Sequence, residues 1–160
     1  MKPLAAGLWL LAAAVANNPP QVELEPRPCA APASRPRVCA QALDDHGVAR
    51  VRLLFRAGGT RDFWATEMAF DGTRYCAWLP QPLLRTRSVE YYVEAFDDEF
   101  EISRTRTEQL ELRNGCPVEP PAPGATVVDA MTPGRAALPP GFDPASVSLA
   151  RATPPPSRGR

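Results

Sequence analysis

Between Arg37 and Arg113 the apolar residues recur at every second position, and a turn signal interrupts them about every ten residues. Val38, Ala40 and Ala42 alternate with Cys39 and Gln41 up to Asp44-Asp45-His46-Gly47. Val51, Leu53 and Phe55 alternate with arginines up to Gly58-Gly59-Thr60, and Trp64, Thr66, Met68 and Phe70 share a phase up to Asp71-Gly72. Tyr75, Ala77 and Leu79 end at Pro80, and Val89, Tyr91, Val93 and Ala95 alternate with Glu90, Tyr92 and Glu94 up to Asp97-Asp98-Glu99. A last strand is expected between Phe100 and Arg113, and a weaker first one at Val22 to Glu25. Period two places alternate side chains on opposite faces of a sheet. No stretch between breakers is long enough for two helical turns with an apolar stripe, so the expected class is all-β.

Proline marks the boundaries. Residues 17–36 hold six prolines, 37–113 only two, and 114–160 eleven. The first sixteen residues read as a signal peptide: Lys2, then an apolar run from Leu4 to Ala13, then Ala14-Val15-Ala16 as the cleavage pattern. Residues 17–36 form a proline-rich lead-in, 37–116 the folded unit, and 117–160 a disordered proline-rich tail with too few large apolar residues to offset ordering entropy. No apolar run reaches the roughly 20 residues of a spanning helix. The expected location is therefore the periplasm or cell exterior.

Composition narrows the chemistry. The chain carries 18 basic and 18 acidic residues, which argues against nucleic acid or an anionic membrane as partner, since both select a basic excess. Four cysteines in an exported domain read first as two disulfides. Zinc is the competing reading, but no paired-ligand spacing is present and His46 is the sole histidine.

These residues resemble the bacterial extracellular immunoglobulin-like or fibronectin-III-like domains. The resemblance rests on Val38-Cys39-Ala40 with Asp44, Gly47-Val48 with Val51, Leu53 and Arg56, and Trp64 with Met68. It continues in Gly72 with Tyr75, Ala77 and Pro80, and in Val89-Glu90-Tyr91-Tyr92-Val93-Glu94-Ala95 with Asp97. It implies a single β-sandwich of about seven strands: A near 22, B 38–43, C 48–56, C′ 63–70, E 74–79, F 88–96 and G 100–112. One sheet would be A-B-E and the other C′-C-F-G. That order sets Cys39 beside Cys76 on neighbouring strands and brings Cys29 near Cys116; Cys29 with Cys39 across a short loop is the alternative. It also sets Arg50, Arg52 and Arg56 beside Glu90 and Glu94 as a structural charge ladder.

The family has no shared catalytic residues, so the expectation is a non-catalytic exported module, without cofactor, acting on a protein partner. Phe63, Tyr92 and Phe96 fall on the phase opposite the core and form the candidate binding surface. The turns after strands B, C′ and F would gather Asp44, Asp45, His46, Asp71, Asp97, Asp98 and Glu99 at one tip, with Arg61, Arg85 and Arg87 at the other end. A calcium- or carbohydrate-binding accessory module is the second reading, the calcium version using Asp44 or Asp45 with Asp97 or Asp98. Enzyme chemistry would have to rest on His46, which has no nucleophile motif beside it.

Overall fold

The computed structural model describes residues 17–132 and 137–150. The signal-peptide expectation, 1–16, falls outside them, as do 151–160. Among the described residues the chain is all strand and turn, apart from one short 3-10 turn at Pro144–Ser146.

The first sheet holds β1 (Gln21–Leu24), β3 (Arg37–Leu43), β7 (Tyr75–Trp78) and β6 (Ala69–Phe70), in the order β1-β3-β7-β6. The second is built on two ten-residue antiparallel strands, β4 (Val48–Ala57) and β8 (Ser88–Asp97). On one side of this pair lie β5 (Trp64–Glu67), β11 (Thr126–Ala130) and β12 (Val147–Leu149); on the other lie β9 (Ile102–Arg104), β10 (Glu108–Leu112) and β2 (Cys29–Ala30). A and B next to E, and C′-C-F-G, thus appear with the expected neighbours.

One core joins the sheets. Val38, Ala40 and Ala77 face it from the first, and Val51, Leu53, Phe55, Val89, Tyr91, Val93, Trp64, Met68 and Leu110 from the second. Apart from Leu110, whose strand was expected without an assigned phase, these are the residues on the apolar phase of the sequence.

Twelve strands among the described residues, rather than about seven, have identifiable causes. The run 63–70 changes sheets at Met68, whose N–H is taken by Val51 O at 2.9 Å, so one expected strand becomes β5 and β6. The run 100–112 breaks at Thr105, whose Oγ1 accepts the Val93 N–H at 3.0 Å in place of a backbone carbonyl, which leaves β9 and β10. The lead-in adds β2, parallel to β10.

The largest correction concerns the tail. Within 117–132 and 137–150 it forms two paired strands and contributes core residues, where a disordered tail was expected. β11 pairs antiparallel with β5 (Asp129 opposite Ala65, Ala130 opposite Trp64), and β12 pairs parallel with β11. Val128 and Phe142 are core residues. The Arg35 guanidinium fastens this arm, donating to Gly124 O, to Thr126 Oγ1 at 2.6 Å and to Leu79 O at 3.4 Å. The tail prolines among the described residues, at 117, 120, 121, 123, 139, 140 and 144, sit outside the strands, where no ladder N–H is required. A proline count over the whole segment misses that placement.

Both disulfides form in the expected pairing. Cys39 and Cys76 stand directly opposite each other in the β3–β7 ladder, with Cα atoms 4.2 Å apart. Cys29 and Cys116 link the lead-in to the end of the β10 segment, with Cα atoms 5.9 Å apart.

Candidate functional site

Two surfaces collect the residues that could carry function: the outer face of the second sheet, and the tip where the β3–β4 and β8–β9 turns meet.

On the outer face the aromatic candidates are brought together but are already engaged. Phe63 and Tyr92 stack edge-on with centroids 5.1 Å apart. The Arg56 guanidinium lies 4.4 Å from the Phe63 ring centroid, and that of Arg52 lies 4.9 Å from Phe96. Leu54, between Tyr92 and Ala65 in register, is fully buried although its neighbours Leu53 and Phe55 are the ones that face the core. Each arginine also holds a carboxylate. Arg52 bonds Glu94 at 2.7 Å and Arg56 bonds Glu90 at 2.7 Å, as the ladder predicts. Arg50 departs from it and pairs with Glu67 on β5. Glu94 is 1% exposed and takes a second cation, with Arg104 Nε 2.7 Å from its Oε1. Alternating charge and aromatic side chains therefore cover this face much as a second, thin core.

The tip is different. Val48 is paired with Asp97, so the turns at 44–47 and 98–101 lie side by side. Asp97 is buried, 1% exposed, and fully engaged: Oδ1 accepts the N–H groups of Glu99 at 2.9 Å and Glu101 at 2.8 Å, and Oδ2 accepts Asn17 Nδ2 at 2.6 Å. That turn presents Phe100, which is 82% exposed and has φ +68°, backbone space that a residue with a Cβ rarely enters. Leu43 (67%) and Ile102 (44%) are exposed beside the same two turns. Phe100 was not singled out in the sequence. Its signal was there, as an aromatic residue enclosed by Asp97-Asp98-Glu99 and Glu101, where turn chemistry calls for glycine or asparagine.

The proposed metal ligands are not gathered into one site. Asp44, Asp45 and His46 have ligand atoms within 4.8 Å of one another, but Asp97 spends its oxygens on the turn. Asp44 Oδ1 likewise accepts the N–H groups of His46 and Gly47 at 2.8 and 3.0 Å. His46 Nδ1 lies 3.0 Å from Asp45 Oδ1. That hydrogen bond and the Asp45 charge, with smaller help from Asp44 and Asp98, raise the imidazole pKa above its usual value. Asp71 does not join this group; it lies between Arg37 at 3.2 Å and Arg74 at 3.5 Å, close to the Cys39–Cys76 bridge.

No family model matches the chain, and no curated protein is found to be similar to it. Among the described residues no helix is long and apolar enough to cross a membrane.

Proposed function

We propose that the chain is an exported, non-catalytic immunoglobulin-like module that works by protein contact through its tip. The observation that carries this reading is Phe100. A left-handed backbone costs an L-residue roughly 1–2 kcal/mol, and an aromatic ring left in water forgoes its burial, so nothing among the described residues accounts for phenylalanine there. A partner that buries the ring accounts for both, because a buried aromatic anchor held on a preorganised turn is the usual centre of a protein interface. The buried Asp97 supplies the preorganisation. Two disulfides suit an oxidising compartment, and the neighbour order of the strands agrees with the immunoglobulin-like resemblance.

A photo-crosslinking residue placed at position 100 in living cells tests the reading. The expected result is a discrete protein adduct, absent when the same group is placed at Gln109 on the flank. Adducts equal at both positions, or none at 100, remove the proposal.

A further inference from the structure

Of the other exposed apolar side chains, which include Phe70, Val118 and Val127, Leu84 lies at the far end from Phe100. β4 and β8 run the full length of their sheet, with Val48 opposite Asp97 at one end and Ala57 opposite Val89 at the other. Ten residues of strand separate the ends by about 30 Å. Just beyond Ala57 and Val89, the Gly58 N–H is bonded to Ser88 O at 2.9 Å, which ties the β4–β5 turn to the segment entering β8. That segment folds into a turn closed by Thr86 N–H to Leu83 O at 2.8 Å, and Leu84 stands on it 76% exposed. Leu138, 38% exposed, approaches the same end through Gly141, whose carbonyl takes the Leu83 N–H at 2.9 Å.

Charge divides the same way. Residues 41–47 and 97–103 contain no lysine or arginine, and beside Phe100 they place Asp44, Asp45, Asp98, Glu99 and Glu101. Beside Leu84 stand Arg85 and Arg87, with Arg61 in the adjoining turn. The loop that holds Phe100 is thus acidic, and the loop that holds Leu84 basic.

We propose that the partner of the tip is a second copy of this chain, docked head to tail, with Phe100 and Leu43 of one copy seated on Leu84 of the next and the tip carboxylates facing Arg61, Arg85 and Arg87. This rests on the protein-contact reading above and names its partner. The two contacting surfaces are unlike, so the contact is heterologous: it does not close on itself after two copies, and copies add in a row. Both patches are small, which makes the association weak, in the micromolar range or above, and sensitive to salt.

Sedimentation of the purified chain at increasing concentration, at about 20 mM and about 500 mM salt, reads this directly. The expected result is an average mass that climbs past two copies at low salt, with the midpoint moved roughly tenfold in concentration by the added salt. Phe100→Gly spoils only the tip and relieves the backbone there, so it folds at least as well as the parent. Leu84→Glu spoils only the base. Each variant alone is expected to stay monomeric, and an equal mixture to form one-to-one dimers, since one supplies an intact base and the other an intact tip. Far-UV and near-UV circular dichroism on both variants establishes that they are folded. A wild type that stays monomeric, growth indifferent to either substitution, a mass that halts at two copies, or a mixture without dimers overturns head-to-tail assembly. A discrete foreign adduct at position 100 with a monomeric purified chain overturns this proposal alone and leaves the protein-contact reading standing; no adduct at all removes both.

Discussion

Phe142 stands edge-on against Phe55, with ring centroids 5.3 Å apart, so a side chain from the C-terminal arm completes the core layer that the central strand begins. Phe142→Ala is expected to cost about 3–5 kcal/mol, the range for losing a buried aromatic residue. Ending the chain after Val118 removes Val128 as well and should cost more. Urea unfolding monitored by tryptophan fluorescence measures both; an arm whose loss moves the midpoint by less than that of an ordinary surface substitution is not part of the core.

Gly141 is fixed on two counts. Its φ is +85°, and an added Cβ would stand 2.5 Å from Ala57 Cβ and 3.2 Å from Thr86 Oγ1. Gly124 has a similar φ, +71°, but open space around it. Gly141→Ala should therefore lose about 2–4 kcal/mol and Gly124→Ala about 1 kcal/mol, the difference being the steric clash. Comparable thermal shifts in the two variants would show that the arm yields around position 141.

Glu94 is buried between two arginines of unequal exposure. Arg52 has 17% of its side chain exposed and Arg104 62%. Arg52→Ala leaves the buried carboxylate only the exposed Arg104 and strips the cover from Phe96, for an expected loss of about 2–3 kcal/mol. Arg104→Ala leaves the buried pair intact and should cost under about 1 kcal/mol. A double-mutant cycle with Glu94→Gln checks this, since the penalty of Arg52→Ala should shrink once the buried charge is gone.

Asp71 accepts backbone N–H groups from Thr73 and Arg74, which together hold its carboxyl at about 2. A folded pKa below the unfolded value, near 4, means that its contribution is complete above pH 4 and is lost as pH falls toward 2. The stability difference between wild type and Asp71→Ala should accordingly be constant at neutral pH and narrow between pH 4 and 2. A gap that does not change over that window would mean the carboxylate is not what stabilises the turn.

Much of the first core is legible in the sequence because alternation alone decides which face of a strand is buried. Val51, Leu53 and Phe55 and their partners Val93 and Tyr91 needed nothing more, and the cysteine pairing followed once the strand order was granted. Alternation is silent wherever one residue acts alone. Phe142 has no periodic companions, and its burial depends on Gly141 slipping between Ala57 and Thr86, a fit set by the assembled fold. Leu54 reads as outward and is outward, yet Phe63 and Tyr92 stand together on that face and it is fully buried. Asp97 reads as one turn acid among several. Only the paths of β8 and β9 show that it is the buried pivot of the tip while Asp98 and Glu99 remain in water.

The Cys29–Cys116 bridge also determines how the molecule would bear tension. A pull applied beyond Cys29 and Cys116 is carried between them by sulfur once β1 and the C-terminal strands have let go, so the span that holds β2 to β10, with its central β4–β8 pair, is shielded from it. Only the arms outside the bridge can lengthen. The segment after Cys116 would peel away strand by strand, β12 before β11, and release roughly 120 Å of chain at about 3.6 Å per residue. The sandwich behind it would stay shut until the sulfur bridge was reduced.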